Sequence, residues 1–139
     1  MLDFSPDILL DADWPIPTHA LVAIAIAVLG LWQVVARKGT TRHRIAGWMF
    51  VIGMAYVALS GLFISDLQTW GYSSPIHLLI PVTLAALWTG VHRARSGQIK
   101  AHARSMTLLF ALAIVVTGGF TLVPGRIMHA TVFGAEAGE

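Results

Sequence analysis

Long apolar segments alternate with short polar ones along this chain of 139 residues. Four segments contain no Asp, Glu, Lys or Arg, and they cover residues 19–36, 45–65, 76–92 and 106–123. A helix needs about 20 mostly apolar residues to cross a hydrocarbon layer of roughly 30 Å. The pattern therefore predicts an all-α fold, a four-helix transmembrane bundle over residues 19–125. An arm (1–18) precedes it, and a tail (126–139) follows it.

The composition agrees with a membrane protein. Hydrophobic residues make up 56% of the chain and charged residues only 12%, whereas soluble domains carry about 25% charged residues. The absence of cysteine excludes disulfides, thiolate metal sites, iron–sulfur clusters and covalently attached c-type haem. The net charge is only +2, and the basic residues lie in short loops between spans. We therefore expect the lipid bilayer as a partner and no nucleic acid.

The charged residues predict the orientation of the bundle. Eight of the nine basic residues lie in the two loops that join spans one to two and three to four: Arg37, Lys38, Arg42, Arg44, Arg93, Arg95, Lys100 and Arg104. All seven acidic residues lie on the opposite side: Asp3, Asp7, Asp11, Asp13, Asp66, Glu136 and Glu139. The positive-inside rule places the basic loops in the cytoplasm. We therefore expect a multi-pass protein of a bacterial inner membrane, with both termini outside.

The N-terminal arm has the features of a short surface helix. Ser5 and Pro6 are typical of an N-cap and a first helical turn. It has no basic start and no apolar core, so we expect no secretory signal. Asp3, Asp7 and Asp11 would share one face of such a helix. That face is either simply solvated or a docking patch for a basic partner.

The six histidines all fall near the predicted membrane boundaries, three at each. His19, His77 and His129 lie outside, and His43, His92 and His102 lie at the cytoplasmic side. Histidine is common at such interfaces without any ligand. In a bundle with short loops, however, spans one and three are diagonal, as are two and four, and two diagonal imidazoles at one depth can bind b-type haem. The sequence thus suggests two haem sites, His19/His77 outside and His43/His102 inside.

Three arginines adjoin the predicted inner haem ligands. Arg42 and Arg44 flank His43, and Arg104 follows His102 by two residues. Topology alone accounts for these positive charges. They would also suit the propionates of a haem, because the arginine fork matches a carboxylate. On the outer side Arg126 is the one basic residue available for the same role.

A metal ion is another possible ligand of the histidines. His43, His92 and His102 could meet at zinc or copper, and so could His19, His77 and His129, with an oxygen from Asp13 or Asp66. The chain has no recognised metal-binding spacing. No carboxylate lies within a span, which argues against a proton relay, and no catalytic constellation is present.

Several short motifs resemble those of a known family. They are His19-Ala20, Gly30, Gln33, HRIAG (43–47), Ser60-Gly61 and RARSGQIKAHARSM (93–106). Over residues 19–110 the chain resembles a bacterial family of predicted membrane proteins, domain of unknown function 2306. That resemblance implies a four-helix membrane protein and no particular activity. The order of the paired histidines is also similar, at the level of architecture, to transmembrane two-haem b-type cytochromes.

Two functions from different classes are consistent with these features. The first is a membrane cytochrome that binds haem b. It would act as an oxidoreductase or an electron carrier and pass electrons between a quinone or small reductant and an acceptor. The second is a cofactor-free accessory or assembly subunit of a larger respiratory or photosynthetic complex. So small and apolar a bundle would suit association with larger subunits or with further copies of itself.

Overall fold

The computed structural model describes residues 5–64, 78–113, 118–122 and 127–133. Seven α-helices lie within these ranges: α1 (Pro6–Leu10), α2 (Ile16–Val35), α3 (Thr41–Ser60), α4 (Leu79–Arg95), α5 (Ile99–Leu112), α6 (Gly119–Thr121) and α7 (Ile127–Phe133). A 3-10 turn (Gly61–Phe63) extends α3. The described ranges contain no strand, which confirms the predicted all-α class.

Helices α2 and α3 both begin earlier than the hydropathy pattern predicts. Helix α2 begins at Ile16 with Pro17 in its first turn, a position where proline needs no backbone N–H partner. Helix α3 begins at Thr41, because the Thr40 hydroxyl accepts a hydrogen bond from the His43 backbone N–H at 3.1 Å and so caps the helix. Arg42 and Arg44, which precede the predicted second span, are therefore already helical, whereas Arg37 and Lys38 lie in the turn before α3.

The turn between α2 and α3 is closed by backbone and side-chain contacts together. Gly39 has a φ of 77°, a conformation that glycine adopts without steric cost. The Lys38 ammonium group donates to the carbonyls of Gln33 and Val34, both at 2.6 Å. These carbonyls have no partner within α2, so Lys38 satisfies the helix C-terminus and offsets its partial negative charge.

The four long helices surround one core. Helices α2 and α3 form one hairpin and α4 and α5 another; α3 packs on α4, and α2 touches α5. This order makes α2 diagonal to α4 and α3 diagonal to α5, the arrangement that the sequence predicts. Five buried residues form the centre: Ile26, Phe50, Met54, Leu87 and Leu109. Gly30 allows the rings of Phe50 and Phe110 to lie 6.3 Å apart (centroid to centroid) beside α2.

Terminal helices α1 and α7 pack against each other at one end of the bundle. The Ser5 backbone N–H donates to the Thr131 carbonyl at 2.9 Å, and Thr131 is only 2% exposed. Ser5 is the N-cap of α1 and Pro6 lies in its first turn, which confirms the prediction, although the Ser5 hydroxyl makes no capping hydrogen bond. Asp7 and Asp11 are exposed, whereas Asp3 lies outside the described residues.

Both basic turns lie at the other end. The Arg95 guanidinium, at the end of α4, lies 5.9 Å from the centroid of the Trp48 ring in the second turn of α3. Helix α2 has 20 residues and therefore extends about 30 Å from the α1 end to this one. The bundle thus has an acidic end and a basic end.

Two described helices are long and apolar enough to cross a membrane, Ile16–Val35 and Thr41–Phe63. The predicted spans 76–92 and 106–123 lie partly outside the described residues. Large apolar side chains cover the perimeter; Val35 is 77% exposed, Trp88 74% and Ile52 66%. A contiguous apolar surface is rare on soluble monomers and is typical of a surface that faces lipid.

Candidate functional site

His102 is held in a defined orientation at the basic end of the bundle. Its Nδ1 lies 2.8 Å from the backbone carbonyl oxygen of Gly90 on α4. Because a carbonyl only accepts hydrogen bonds, Nδ1 must carry the proton, and in the neutral ring Nε2 then has a free lone pair. Histidines that bind metal commonly have this second hydrogen bond, which sets both the tautomer and the ring direction.

His43, on α3, lies at the same end of the bundle as His102, and these two residues together with Gln33 are called the inner cluster. Its backbone carbonyl accepts a hydrogen bond from the Gln33 side-chain N–H at 3.0 Å, which ties α2 to the start of α3. The two histidines of the predicted inner pair thus lie at the same end of the bundle, on helices that the packing makes diagonal. Their pairing around a ligand stays a prediction.

Two buried polar atoms of this cluster have no hydrogen-bond partner, His43 Nδ1 and Gln33 Oε1. A buried polar group without a partner costs about 1–3 kcal/mol, so buried polar atoms are nearly always satisfied. Gly47, one turn after His43, keeps the space beside Gln33 open; a Cβ atom there would lie 3.4 Å from Gln33 Nε2. The cluster has the polar atoms to hold a ligand.

His19 has a comparable hydrogen bond at the acidic end. Its Nδ1 lies 2.8 Å from the Ser60 hydroxyl oxygen, and that hydroxyl donates its proton to the Val57 carbonyl at 3.2 Å. When the Ser60 proton is directed at Val57, the hydroxyl accepts from His19 Nδ1–H, and Nε2 then has a free lone pair. His77 lies outside the described residues, and the His19/His77 pair stays a prediction.

We expect Ser60→Ala to destabilise the bundle by about 0.5–1.5 kcal/mol, because it removes one neutral hydrogen bond between α2 and α3. Thermal unfolding in detergent measures the change. Thr89→Ala is the matched control, since the exposed Thr89 hydroxyl bonds only to Ala86 within its own helix. Equal melting temperatures for the two variants would show that the His19–Ser60 bond contributes nothing.

Neither remaining described histidine joins a metal cluster. His92 is exposed and lies 3.5 Å from the Ser96 hydroxyl, and His129 lies against Phe133. No group of three His, Asp or Glu residues meets within the described ranges. The predicted zinc or copper trio of His43, His92 and His102 is therefore wrong. Gly90 faces His102, and His92, two residues later, points about 200° away around the helix.

The three arginines predicted to meet haem propionates are all exposed: Arg42, Arg44 and Arg104. Arg42 lies in a surface groove with Arg37. Arg42 and Arg44 diverge because each step along a helix turns by about 100°. Their pairing with a propionate stays a prediction. The same holds for Arg126, which lies outside the described residues.

Gln33 and Gly90 are hydrogen-bond partners of the inner histidines that the sequence did not predict. A signal for Gln33 was available, because Gln33 and His43 lie five residues either side of Lys38 in a tight antiparallel hairpin. Residues placed symmetrically about such a turn lie level with each other. Arg93 and Ser105 follow the same rule about Ile99, and the Arg93 side chain donates to the Ser105 hydroxyl. Gly90 and His102 lie level for the same reason, six residues either side of Ser96, but the partner there is a backbone carbonyl, which a pattern of side chains does not indicate.

These features define an integral membrane protein built as an antiparallel helical bundle with a polar histidine cluster at its basic end. The family model described as "Predicted membrane protein (DUF2306)" matches residues 16–134. The chain belongs to this family, which confirms the resemblance found in the sequence. Comparison with curated proteins and with solved structures gives no match.

Proposed function

We propose that this protein crosses a bacterial inner membrane four times and carries electrons through haem b bound between His43 and His102. The contact between α1 and α7 supports the topology, because it puts both terminal helices at one end. The basic turns lie at the other end, which the positive-inside rule assigns to the cytoplasm. Helices α4 and α5 would then complete the third and fourth spans.

The observation that carries the proposal is the state of the two inner imidazoles. His102 presents Nε2 because Nδ1 is bonded to Gly90, and the buried Nδ1 of His43 has no hydrogen-bond partner that would commit its ring to the helix bundle. They lie on diagonal helices, the geometry in which two imidazoles can bind iron from opposite sides. Haem bound there supplies one-electron chemistry. With no cysteine in the chain, attachment would be non-covalent.

Other residues of the cluster would orient the ligands and balance charge. The Gly90 carbonyl keeps the His102 ring directed into the bundle. If His43 bound iron through Nε2, its Nδ1–H would need an acceptor, and Gln33 Oε1 is a buried acceptor of the same cluster without a partner. Arg44 and Arg104 are exposed at the basic end, and they would pair with propionates that reach the water there.

A second haem between His19 and His77 would complete a path across the membrane. His19 would present Nε2 in the tautomer whose Nδ1–H donates to Ser60. Ser60 and His43 are 17 positions apart on α3, which corresponds to about 25 Å along the helix. The two sites would therefore lie near opposite faces of the bilayer, with a quinone or small reductant as donor.

The test is a reduced-minus-oxidised visible spectrum of the purified protein, with haem and protein both quantified. We expect a Soret shift and a sharp α band, with two haems per chain if both pairs bind and one if only the inner pair does. Purification from cells supplied with a haem precursor prevents loss through limited supply. A colourless, folded protein from such cells would rule out the electron-transfer function.

The alternative, a cofactor-free accessory or assembly subunit, is favoured by the extent of the exposed apolar perimeter, which includes Val35 and Trp88. Under this proposal the histidines only link helices, as His19 does with Ser60. A colourless protein that co-purifies in fixed ratio with larger membrane subunits would select it. A coloured protein isolated without such subunits would exclude it.

A further inference from the structure

An open groove of about 600 Å³ lies on the outside of the α2–α3 turn. Its lining combines an indole, two guanidinium groups and two hydroxyls: Trp32, Ala36, Arg37, Thr40, Thr41 and Arg42. Small-ligand sites commonly measure about 300–1,000 Å³. The groove is large enough for a charged head group, and its lining is both apolar and cationic.

Arg37 and Arg42 have no acidic residue to neutralise them in the part of the chain that the structure describes. The acidic residues of that part are Asp7, Asp11 and Asp13. All three precede α2, whose length of about 30 Å separates them from the groove. The third basic residue of the turn, Lys38, is already bonded to the carbonyls at the end of α2. The groove therefore presents two free positive charges to an anion from outside.

An apolar stripe leads along α2 into the groove. Val28, Leu31 and Val35 are 66%, 61% and 77% exposed, and their spacing puts them on one face of the helix. Trp32 is 42% exposed and lies where the stripe meets the arginines. An indole at that position is typical of the boundary between hydrocarbon and head groups. The surface is apolar along the helix and cationic at its end.

We propose that this groove binds the head group of an anionic phospholipid. The guanidinium groups of Arg37 and Arg42 donate hydrogen bonds to the phosphodiester oxygens, and an acyl chain lies along the α2 stripe. Charge complementarity selects this occupant, because basic pockets beside membrane helices bind anionic head groups of the cytoplasmic leaflet. A bound lipid would hold the α2–α3 hairpin at a defined depth beside His43.

Quenching of Trp32 fluorescence by brominated lipid tests the proposal. The protein is placed in phosphatidylcholine nanodiscs that contain increasing fractions of brominated phosphatidylglycerol or, in parallel, brominated phosphatidylcholine. The difference between the unmodified protein and Trp32→Phe isolates the signal of Trp32. We expect phosphatidylglycerol to bind at least about fivefold more tightly than phosphatidylcholine, given the usual contribution of a basic residue near a membrane surface.

Two double variants separate a built site from general surface charge. Arg37→Gln/Arg42→Gln should lose the preference for phosphatidylglycerol. Arg95→Gln/Lys100→Gln removes the same charge from the other basic turn and should retain it. Equal loss in both variants, or no preference in the unmodified protein, would overturn the proposal. The proposal would also be overturned if inorganic phosphate, added to the protein in pure phosphatidylcholine, changed Trp32 fluorescence as much as phosphatidylglycerol does. The groove would then bind a free anion.

A charge-conserving variant keeps the test valid if the glutamine variant does not fold. Arg37→Lys/Arg42→Lys retains both charges but loses the planar fork that bonds two oxygens at once. We expect it to lose part of the preference, about fivefold at most. An unchanged preference would contradict recognition by the guanidinium groups.

Discussion

Replacing His102 with alanine should abolish the absorbance of the proposed inner haem and lower the haem-to-protein ratio by one. The substitution removes the imidazole whose Nε2 is free and whose Nδ1 bonds to Gly90. His43→Ala should have the same effect, because both histidines would be needed to hold the haem iron. The measurement is the reduced-minus-oxidised spectrum of each purified variant. Loss of the Gly90 bond costs only about 1 kcal/mol, so the bundle should remain folded.

His92→Ala is the matched control for these two variants. His92 lies at the same end of the bundle but is exposed and touches only Ser96. Its removal should leave the spectrum unchanged. A full α band in both His43→Ala and His102→Ala would show that the ligand assignment is wrong. Loss of the band together with loss of helical structure would point to folding instead, so circular dichroism accompanies each spectrum.

Gly30→Ala should reduce the free energy of unfolding by about 1–3 kcal/mol, the usual effect of overpacking a core. An added Cβ would lie 2.5 Å from Phe110 Cδ2 and 2.9 Å from Phe50 Cε2. Both rings are confined, Phe50 being only 4% exposed and packed in the centre of the bundle. Thermal unfolding in detergent measures the change.

Two other glycines calibrate this result. Gly47→Ala should be close to neutral, because its Cβ would make ordinary contact with Gln33 at 3.4 Å. Gly90→Ala should fall between the two, since its Cβ would meet the end of the flexible Met106 side chain, at 2.5 Å from Sδ. If Gly30→Ala is as stable as Gly47→Ala, the close approach of Phe110 to α2 is not a feature of the folded protein.

The positions of the long helices follow from the sequence because hydropathy is a local property. Apolar segments without charge predict helices α2 and α3 and place the basic turns between hairpin partners. The helix starts are less well predicted, since capping depends on single residues such as Thr40 and not on average hydropathy. The short contact between α1 and α7 joins residues over 120 positions apart, and no periodicity in either segment indicates it.

The candidate site shows the same division. The residue types near each end of the bundle can be predicted from the order of the chain, because depth along a helix follows from position in it. Which of them meet depends on packing: His102 with Gly90, His19 with Ser60, and Gln33 with His43. Packing also directs His92 away from the inner pair. These outcomes depend on the rotation of each helix about its axis, which is set by packing against its neighbours.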